Sequence, residues 1–105
     1  MNTLPTAPPT AVRIERTTKW RKAHRKLTKR QRAAVDAAVD RFRRNPFDPA
    51  LKRVNLYHDG GGRLTSECFR LCCAEAMRVI VLNSGEGYLL VWCGTHERYN
   101  SLVGT

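Results

Sequence analysis

The sequence predicts an α+β fold, in which a two-helix hairpin packs on a sheet of about four antiparallel strands with a short further strand at the N-terminus. Two observations support this prediction. Between residues 18 and 45, apolar side chains recur at the three- and four-residue spacing of helices, whereas after Pro46 short apolar runs alternate with turn residues. A chain of 105 residues can build one such domain around one modest core.

The N-terminal segment is expected to stand apart from this domain. Residues 1–11 are rich in proline and threonine and offer little apolar surface to bury, which predicts a flexible tail. Residues 12–105 would then form the single domain. The alternation of apolar and polar residues from Val12 to Arg16 predicts its first, short strand, with Val12 and Ile14 turned inward.

Two helices are expected between this strand and Pro46. The first spans residues 19–27, after Thr18 as a possible N-cap. The second begins at Thr28, because Thr28 and Gln31 match a capping box, in which each side chain accepts a backbone N–H of the first turn. It ends before Pro46, since the residue preceding proline is disfavoured in helical conformation. The apolar faces are Trp20, Ala23 and Leu27 in the first helix, and Ala34, Val35, Ala38, Val39 and Phe42 in the second.

The rest of the chain predicts four strands in meander order. Short turn-rich segments separate them, so neighbouring strands should pair antiparallel. Gly60, Gly61 and Gly62 lack the strand-turn-helix context of a phosphate-binding loop and indicate a flexible connection. The strands are expected at Val54–Tyr57, Cys68–Cys73, Met77–Asn83 and Tyr88–Thr95.

Positive charge is concentrated near the N-terminus. The chain has 19 Lys and Arg against 9 Asp and Glu, a formal net charge of +10, and residues 12–32 hold ten of these cations against one acid, Glu15. Such clustering favours a nucleic acid or ribosome as partner over an acidic protein or a merely solvated helix face. The candidate nucleic-acid contacts are Lys19, Arg21, Lys22, Arg25, Lys26, Lys29, Lys52 and Arg53.

The four cysteines do not predict a metal site. They contain no Cys-x-x-Cys pair, and strand alternation places Cys72 and Cys73 on opposite sides, so no metal or other cofactor is expected. They are interpreted as reduced thiols, mostly small buried groups, with Cys72 exposed in a cleft. No apolar run is long enough to span a membrane and no secretory signal is evident, so a cytoplasmic protein without a membrane partner is expected.

Strand alternation also sorts the polar side chains. If Phe69, Leu71, Val79 and Val81 lie under the helices, then Arg70, Arg78 and His96 emerge together on the other face. Arginine can hold phosphate oxygens and histidine can protonate a leaving oxygen, so this trio suits cleavage of an RNA phosphodiester. Tyr88, Leu90, Trp92, Gly94 and His96 are expected to share one side of the last strand. Trp92 is then part of a second core or a base-stacking platform, and packing is the favoured interpretation.

Several segments taken in order resemble the RelE/ParE superfamily of bacterial toxins, over about nine-tenths of the chain. The resemblance implies two helices packed on a curved antiparallel sheet. The segments are Trp20 to Leu27, the helix ending in Asn45-Pro46, Leu51-Lys52, Phe69-Arg70-Leu71, Arg78-Val79-Ile80-Val81 and Tyr88 to Tyr99, which includes Gly94-Thr95-His96.

In the RelE branch, the resemblance implies a toxin that cuts mRNA in the ribosomal A site without a metal. The 2′-hydroxyl attacks the adjacent phosphate, which leaves a 2′,3′-cyclic phosphate and a 5′-hydroxyl. Arg78 would match the arginine that stabilises the transition state, and Arg70 the basic residue after the aromatic of the preceding strand. His96 would protonate the leaving oxygen, and Tyr99 would orient or stack on the nucleotide. The implied partners are an acidic antitoxin, the ribosome and mRNA, with operator DNA bound only through the antitoxin.

A departure from the family pattern leaves the general base open, and two alternative functions remain. Cys72 occupies a position that is often basic in ribonuclease members, so the general base is unassigned among four candidates. The principal alternative function is that of a ParE-like poison of DNA gyrase without catalytic residues, and a third is an inactive binding module with the same fold. The candidates for the base are Lys52, His58, Asp59 and Glu67.

Overall fold

The computed structural model describes residues 12–56 and 68–102, and its architecture confirms the α+β prediction. The predicted tail and the connection at Gly60–Gly62 lie outside the described residues. A single turn of 3-10 helix, Pro49–Leu51, stands between the second helix and the second strand. The other elements are β1 Ile14–Arg16, α1 Thr18–Arg25, α2 Lys29–Arg44, β2 Val54–Leu56, β3 Cys68–Cys73, β4 Met77–Asn83, β5 Tyr88–Thr95 and α3 His96–Leu102.

The strand order in the sheet is β1-β5-β4-β3-β2. Strands β2 to β5 form the predicted antiparallel meander, in which each strand pairs with the next along the chain. β1 joins at the far edge and runs parallel to β5, with Ile14 opposite Tyr88. The sheet is therefore mixed, because most of the chain separates β1 from β5 and no hairpin turn constrains their direction.

Helix α1 begins and ends earlier than expected. Its N-cap is Thr17, whose hydroxyl accepts a hydrogen bond from the Trp20 backbone N–H at 3.1 Å and donates one to the Leu90 carbonyl of β5 at 2.8 Å. The predicted cap at Thr18 and the extension to Leu27 are wrong. The tertiary bond to Leu90 selects Thr17 over its neighbour, a choice that local sequence does not encode.

Helix α2 follows the sequence prediction closely. Thr28 and Gln31 form the capping box, with both reciprocal bonds present, and Asn45 caps the C-terminus before Pro46. A hydrogen-bonded pair, His24 with Asp36 at 2.9 Å, joins α1 to α2. The buried stripe of α2 packs with Trp20 against the sheet to form the main core. Its residues are Val35, Ala38, Val39 and Phe42, and those of the sheet are Phe69, Leu71, Met77, Val79, Val81, Leu90 and Cys93.

A third helix, which the sequence analysis did not anticipate, packs on the opposite face of the sheet. Thr95 caps its start by accepting a bond from the Arg98 backbone N–H at 3.2 Å. Tyr99 of this helix is buried in a second, smaller core with Cys68 and Ile80. Both faces of the sheet are thus covered, one by α1 and α2 and part of the other by α3. Within the described ranges, no helix combines the length and hydrophobicity needed to traverse a bilayer.

A bulge in β5 reverses the side-chain alternation halfway along the strand. Ile80 of β4 pairs with Trp92, but its neighbour Val81 pairs with Leu90, so Val91 is an extra residue. Leu90 consequently packs in the main core, whereas Trp92 packs against the second core. The prediction that Tyr88 and Leu90 share a side with Trp92, Gly94 and His96 is therefore wrong, because strict alternation cannot continue across an inserted residue.

Candidate active site

Strand register places Arg70, Cys72 and Arg78 on the sheet face opposite α1 and α2. Arg70 pairs with Ile80 and Cys72 with Arg78, whereas the alternate positions, such as Leu71, are buried in the main core. The predicted division of β3 and β4 into a helix-facing side and a polar side is confirmed. Arg70 and Arg78 therefore lie on one surface as diagonal neighbours. Cys72 is two residues along β3 from Arg70 and directly opposite Arg78.

The Arg78 guanidinium is held in place but incompletely hydrogen-bonded. One terminal nitrogen, Nη1, donates to the Met77 carbonyl at 3.0 Å. Nε is buried and has no hydrogen-bond partner among the described residues. An unpaired buried donor of this kind costs about 1–3 kcal/mol.

Arg70 lies beside helix α3 on the side of the sheet that carries Arg70 and Arg78, which is called the arginine face below. Its Nη1 donates to the Cys72 sulfur at 3.5 Å, and its guanidinium carbon lies 5.7 Å from the centre of the Tyr99 ring. Burial raises the pKa of Tyr99, although the positive charges of Arg70 and Arg78 oppose this rise. Tyr99 is therefore a neutral phenol at neutral pH, able to donate a hydrogen bond but unsuited to act as a base.

His96 follows β5 on the same side of the sheet as Arg78. Gly94 is paired with Arg78, and the His96 backbone N–H donates to the Ala76 carbonyl at 2.9 Å, which extends this pairing to the β3–β4 turn. The His96 side chain is exposed, with Nε2 3.4 Å from the Asn100 amide nitrogen one helical turn later. His96 is thus an accessible imidazole two residues beyond Gly94, the β5 partner of Arg78.

A cationic cleft of about 520 Å³ opens beside Arg78 at the edge of the sheet. It exists because β2 pairs only with Cys68 to Arg70. Within the described ranges, the end of β3 therefore has no neighbouring strand on the side away from β4. Arg41, Lys52 and Arg78 line it together with Cys72, Cys73 and small alanine side chains. Lys52 has a positive φ of 48°, a backbone conformation that costs energy for a residue with a side chain.

Of the four candidates for the general base, Lys52 lies in this cleft with Arg78. The other three, His58, Asp59 and Glu67, lie outside the described residues. Arg41 was missed by the sequence analysis, although it continues the α2 face of Ala34, Ala37 and Ala38 at helical spacing. Arg41 forms an ion pair with Asp48 at 3.2 Å. The pKa of Asp48 is lowered, first by a hydrogen bond from the Ala50 backbone and then by Arg41.

The basic helical hairpin and the arginine face lie on opposite sides of the sheet. The α1 side chain Trp20 is buried in the main core, so the outer face of α1 points away from Arg70 and Arg78. Lys26 is an exception, because it reaches a hollow at the end of β5 that Arg98 also lines. The hairpin cations, all exposed, are Lys19, Arg21, Lys22, Arg25, Lys26 and Lys29.

Arg53 has a structural environment that the sequence analysis did not foresee. Its guanidinium carbon lies 3.8 Å from the ring centre of Phe69 and 4.7 Å from that of Phe47, and Nη1 donates to the Pro46 carbonyl at 3.2 Å. Such stacking holds the segment after α2 against the sheet. Arg53, predicted as a nucleic-acid contact, is thus engaged within the protein, whereas its neighbour Lys52 is exposed.

The cysteines are free thiols. Burial raises the pKa of Cys73 to about 12 and that of Cys93 to about 12. Cys72 is partly exposed and lies on the other side of the strand from Cys73, as predicted. No group of three or more His, Cys, Asp and Glu side chains positioned to hold a metal ion occurs among the described residues.

Comparison with known proteins identifies the fold. No protein-family model matches the sequence. No curated protein matches it significantly. Among solved structures, the RelB–RelE antitoxin–toxin complex of Methanococcus jannaschii is similar, with a TM-score of 0.56, 9% identity, and coverage of 84% of this chain and 96% of that one. The RelBE2 toxin–antitoxin complex of Mycobacterium tuberculosis is similar with a TM-score of 0.54, 16% identity, and coverage of 83% and 93%. The chain has a RelE-like fold.

Proposed function

We propose that this protein is the toxin of a toxin–antitoxin pair and acts as a metal-independent endoribonuclease on mRNA bound to the ribosome. The observation that carries the proposal is the Arg78 guanidinium, which has a buried N–H without a partner in the described ranges and borders a cationic cleft. His96, two residues after the Gly94 that pairs with Arg78, has an exposed side chain. The similarity in fold to RelE chains of two antitoxin–toxin complexes supports the toxin role.

The reaction is a transesterification at one phosphorus atom. The 2′-hydroxyl oxygen bonds to the adjacent phosphorus while the bond to the 5′-oxygen breaks, which yields a 2′,3′-cyclic phosphate and a 5′-hydroxyl. Arg78 and Arg70 hold the non-bridging oxygens, whose negative charge increases in the transition state; one such donor is worth roughly 3–4 kcal/mol. His96 gives a proton to the departing 5′-oxygen. Lys52 is the described candidate for the base, and it can accept the 2′-hydroxyl proton only as the neutral amine.

The distribution of charge supports a partner as large as the ribosome. Cations lie on two opposite surfaces of the fold. One surface is the outer side of α1, and the other is the sheet face that carries Arg70 and Arg78. A single RNA strand in the active site would reach only one of these surfaces. A folded ribosomal RNA surface can contact both, and the release of its counterions would contribute much of the affinity. The net charge of +10 equally favours an acidic antitoxin, through which the pair would bind operator DNA.

Induction of the full-length protein in bacterial cells tests this proposal. Primer extension should reveal cleavage of translated mRNA, together with growth arrest and loss of protein synthesis. Arg78→Ala and His96→Gln should each lower cleavage by about 10²–10³-fold, because each removes a group that acts on the transition state. Arg43→Ala, which removes an exposed arginine of α2, is the matched control and should leave cleavage unchanged.

Two outcomes would contradict the proposal. Growth arrest that persists in Arg78→Ala, accompanied by inhibition of DNA supercoiling and intact mRNA, would indicate a gyrase poison instead. Absence of any growth effect from the folded wild-type protein would indicate a binding module without toxicity. Circular dichroism of each variant separates loss of function from loss of fold.

A further inference from the structure

The bulge in β5 determines on which face of the sheet the side chain of Trp92 lies. The bulge at Val91 turns it onto the arginine face, where it packs against the second core of Cys68, Ile80 and Tyr99. Its ring lies over Gly94: a Cβ at residue 94 would be 2.5 Å from two carbons of the indole. The indole therefore extends along β5 from residue 92 towards Gly94.

Part of this indole remains accessible from two adjoining hollows. An open hollow of about 510 Å³ is lined by Trp92 with Glu97, Arg98 and Leu102. A narrower one of about 200 Å³ is lined by Trp92 with Lys26 and Arg98. Trp92 and Arg98 belong to both hollows, so a ligand resting on the indole would have Lys26 on one side and Glu97 on the other.

This combination fits a nucleotide of single-stranded nucleic acid. An aromatic platform beside cations is how proteins hold unpaired bases, with about 1–3 kcal/mol of stacking for each base. Lys26 and Arg98 suit a phosphate in the narrower hollow. Glu97 would repel a phosphate in the open hollow but would accept hydrogen bonds from the amino group of a base. An acidic peptide meets the same repulsion at Glu97 and makes no comparable use of the indole.

We propose that Trp92 is the stacking platform for a base next to the cleaved bond of a single-stranded RNA, with Lys26 and Arg98 holding the adjoining backbone phosphate. The proposal rests on the proposed function, because it takes the scissile phosphate to lie at Arg78, which is paired with Gly94 beneath the indole. It also gives Lys26 a separate role from the other hairpin cations, since Lys26 is the member of that set that lines a hollow with Trp92.

Intrinsic fluorescence tests the proposal directly. The chain has two tryptophans, and Trp20 is only 2% exposed, so a change in emission on RNA binding reports on Trp92. The probe is a short 2′-O-methyl RNA, which cannot be cleaved, titrated into the full-length protein at low ionic strength. An abasic oligonucleotide of equal length and charge is the matched ligand control. Trp92→Phe, which retains Trp20 alone, gives the background signal.

We expect quenching by the base-containing RNA and an affinity about 5–150-fold higher than for the abasic one, in line with the stacking of one base. Trp92→Leu lacks the reporter, so its binding is followed by the fluorescence anisotropy of end-labelled oligonucleotides. It should remove this difference while leaving the affinity for the abasic oligonucleotide unchanged. Lys26→Ala should weaken the binding of both oligonucleotides. Arg43→Ala, which removes an exposed arginine of α2, should have a much smaller effect on either.

Equal affinity for the two oligonucleotides, or quenching that is unchanged when an acidic peptide replaces RNA, would overturn the proposal. If Trp92→Leu fails to fold, the affinities of the wild-type protein and of Arg98→Ala for the two oligonucleotides still test the proposal. The binding experiment and the nuclease assay test the two proposals separately. Base-dependent binding with no cleavage would overturn the proposed function alone, and cleavage without base-dependent binding would overturn the platform alone.

Discussion

Arg78 lies directly opposite Gly94 in the β4–β5 pair, and the space above Gly94 that a methyl group would occupy is filled by the indole of Trp92. The absence of a side chain at residue 94 thus sets the position of an aromatic ring beside a functional arginine. Glycine is required here by contact with the ring rather than by an unusual backbone angle.

Gly94→Ala should therefore destabilise the protein by about 1–3 kcal/mol, the usual cost of overpacking a filled site. The new Cβ would force the indole away from its place, so base-dependent RNA binding should fall as well. Chemical denaturation of the single variants and of Gly94→Ala with Trp92→Leu measures the coupling. The penalty of Gly94→Ala should largely disappear in the Trp92→Leu background. An undiminished penalty there would show that the indole is not the obstacle.

Arg53 and Lys52 should separate stability from activity. Arg53→Ala removes a guanidinium stacked between two aromatic rings and should lower the free energy of unfolding by about 1–2 kcal/mol. Lys52→Ala should change it by less than about 0.5 kcal/mol, because the side chain is exposed and the strained φ is retained. Cleavage should decrease in Lys52→Ala. Denaturation curves and the primer-extension assay measure the two properties, and a reversed pattern would contradict the roles assigned here.

The buried thiols should make the protein less stable at high pH. The pKa of Cys93 is raised from 9.0 to about 12 in the folded protein, so the folded state favours the neutral thiol. Its contribution is complete below about pH 9 and is lost progressively as the pH rises from 9 towards 12, because the unfolded chain ionises first. The fall in Tm between pH 8 and 11 should therefore be shallower in Cys93→Ala than in the wild type. Cys72→Ala is the control, and its fall in Tm should match that of the wild type.

Tyr99 should act as a packed, neutral phenol. Tyr99→Phe preserves the ring that packs with Cys68 and Ile80, so it should change Tm little, whereas Tyr99→Ala should cost about 3 kcal/mol or more. The pKa of Tyr99 is raised, so the cleavage rate of the wild type should show no transition below pH 10 that Tyr99→Phe removes. Such a transition would indicate that the phenolate participates.

Prediction from sequence succeeded where the determining interactions are local. The capping box of Thr28 and Gln31, the end of α2 before Pro46 and the limits of β3, β4 and β5 depend on residues close together in the chain. The grouping of Arg70 with Arg78 on the face away from α1 and α2 followed from the same short-range alternation. Helix α3 was missed, although Thr95 as a cap and Glu97 in the first turn were visible signals.

The sequence by itself determined the α+β class, the division of alternate residues of β3 and β4 between two faces, and the excess of positive charge. Only the tertiary structure decided which threonine caps α1, that β1 pairs parallel with β5, and that Arg53 is enclosed between two rings. It also decided that Tyr88 and Leu90 pack on the main core while Trp92 lies on the opposite face, because the bulge at Val91 depends on how β5 fits against β4. These features arise from contacts between residues distant in the chain, whose energies no short stretch of sequence contains.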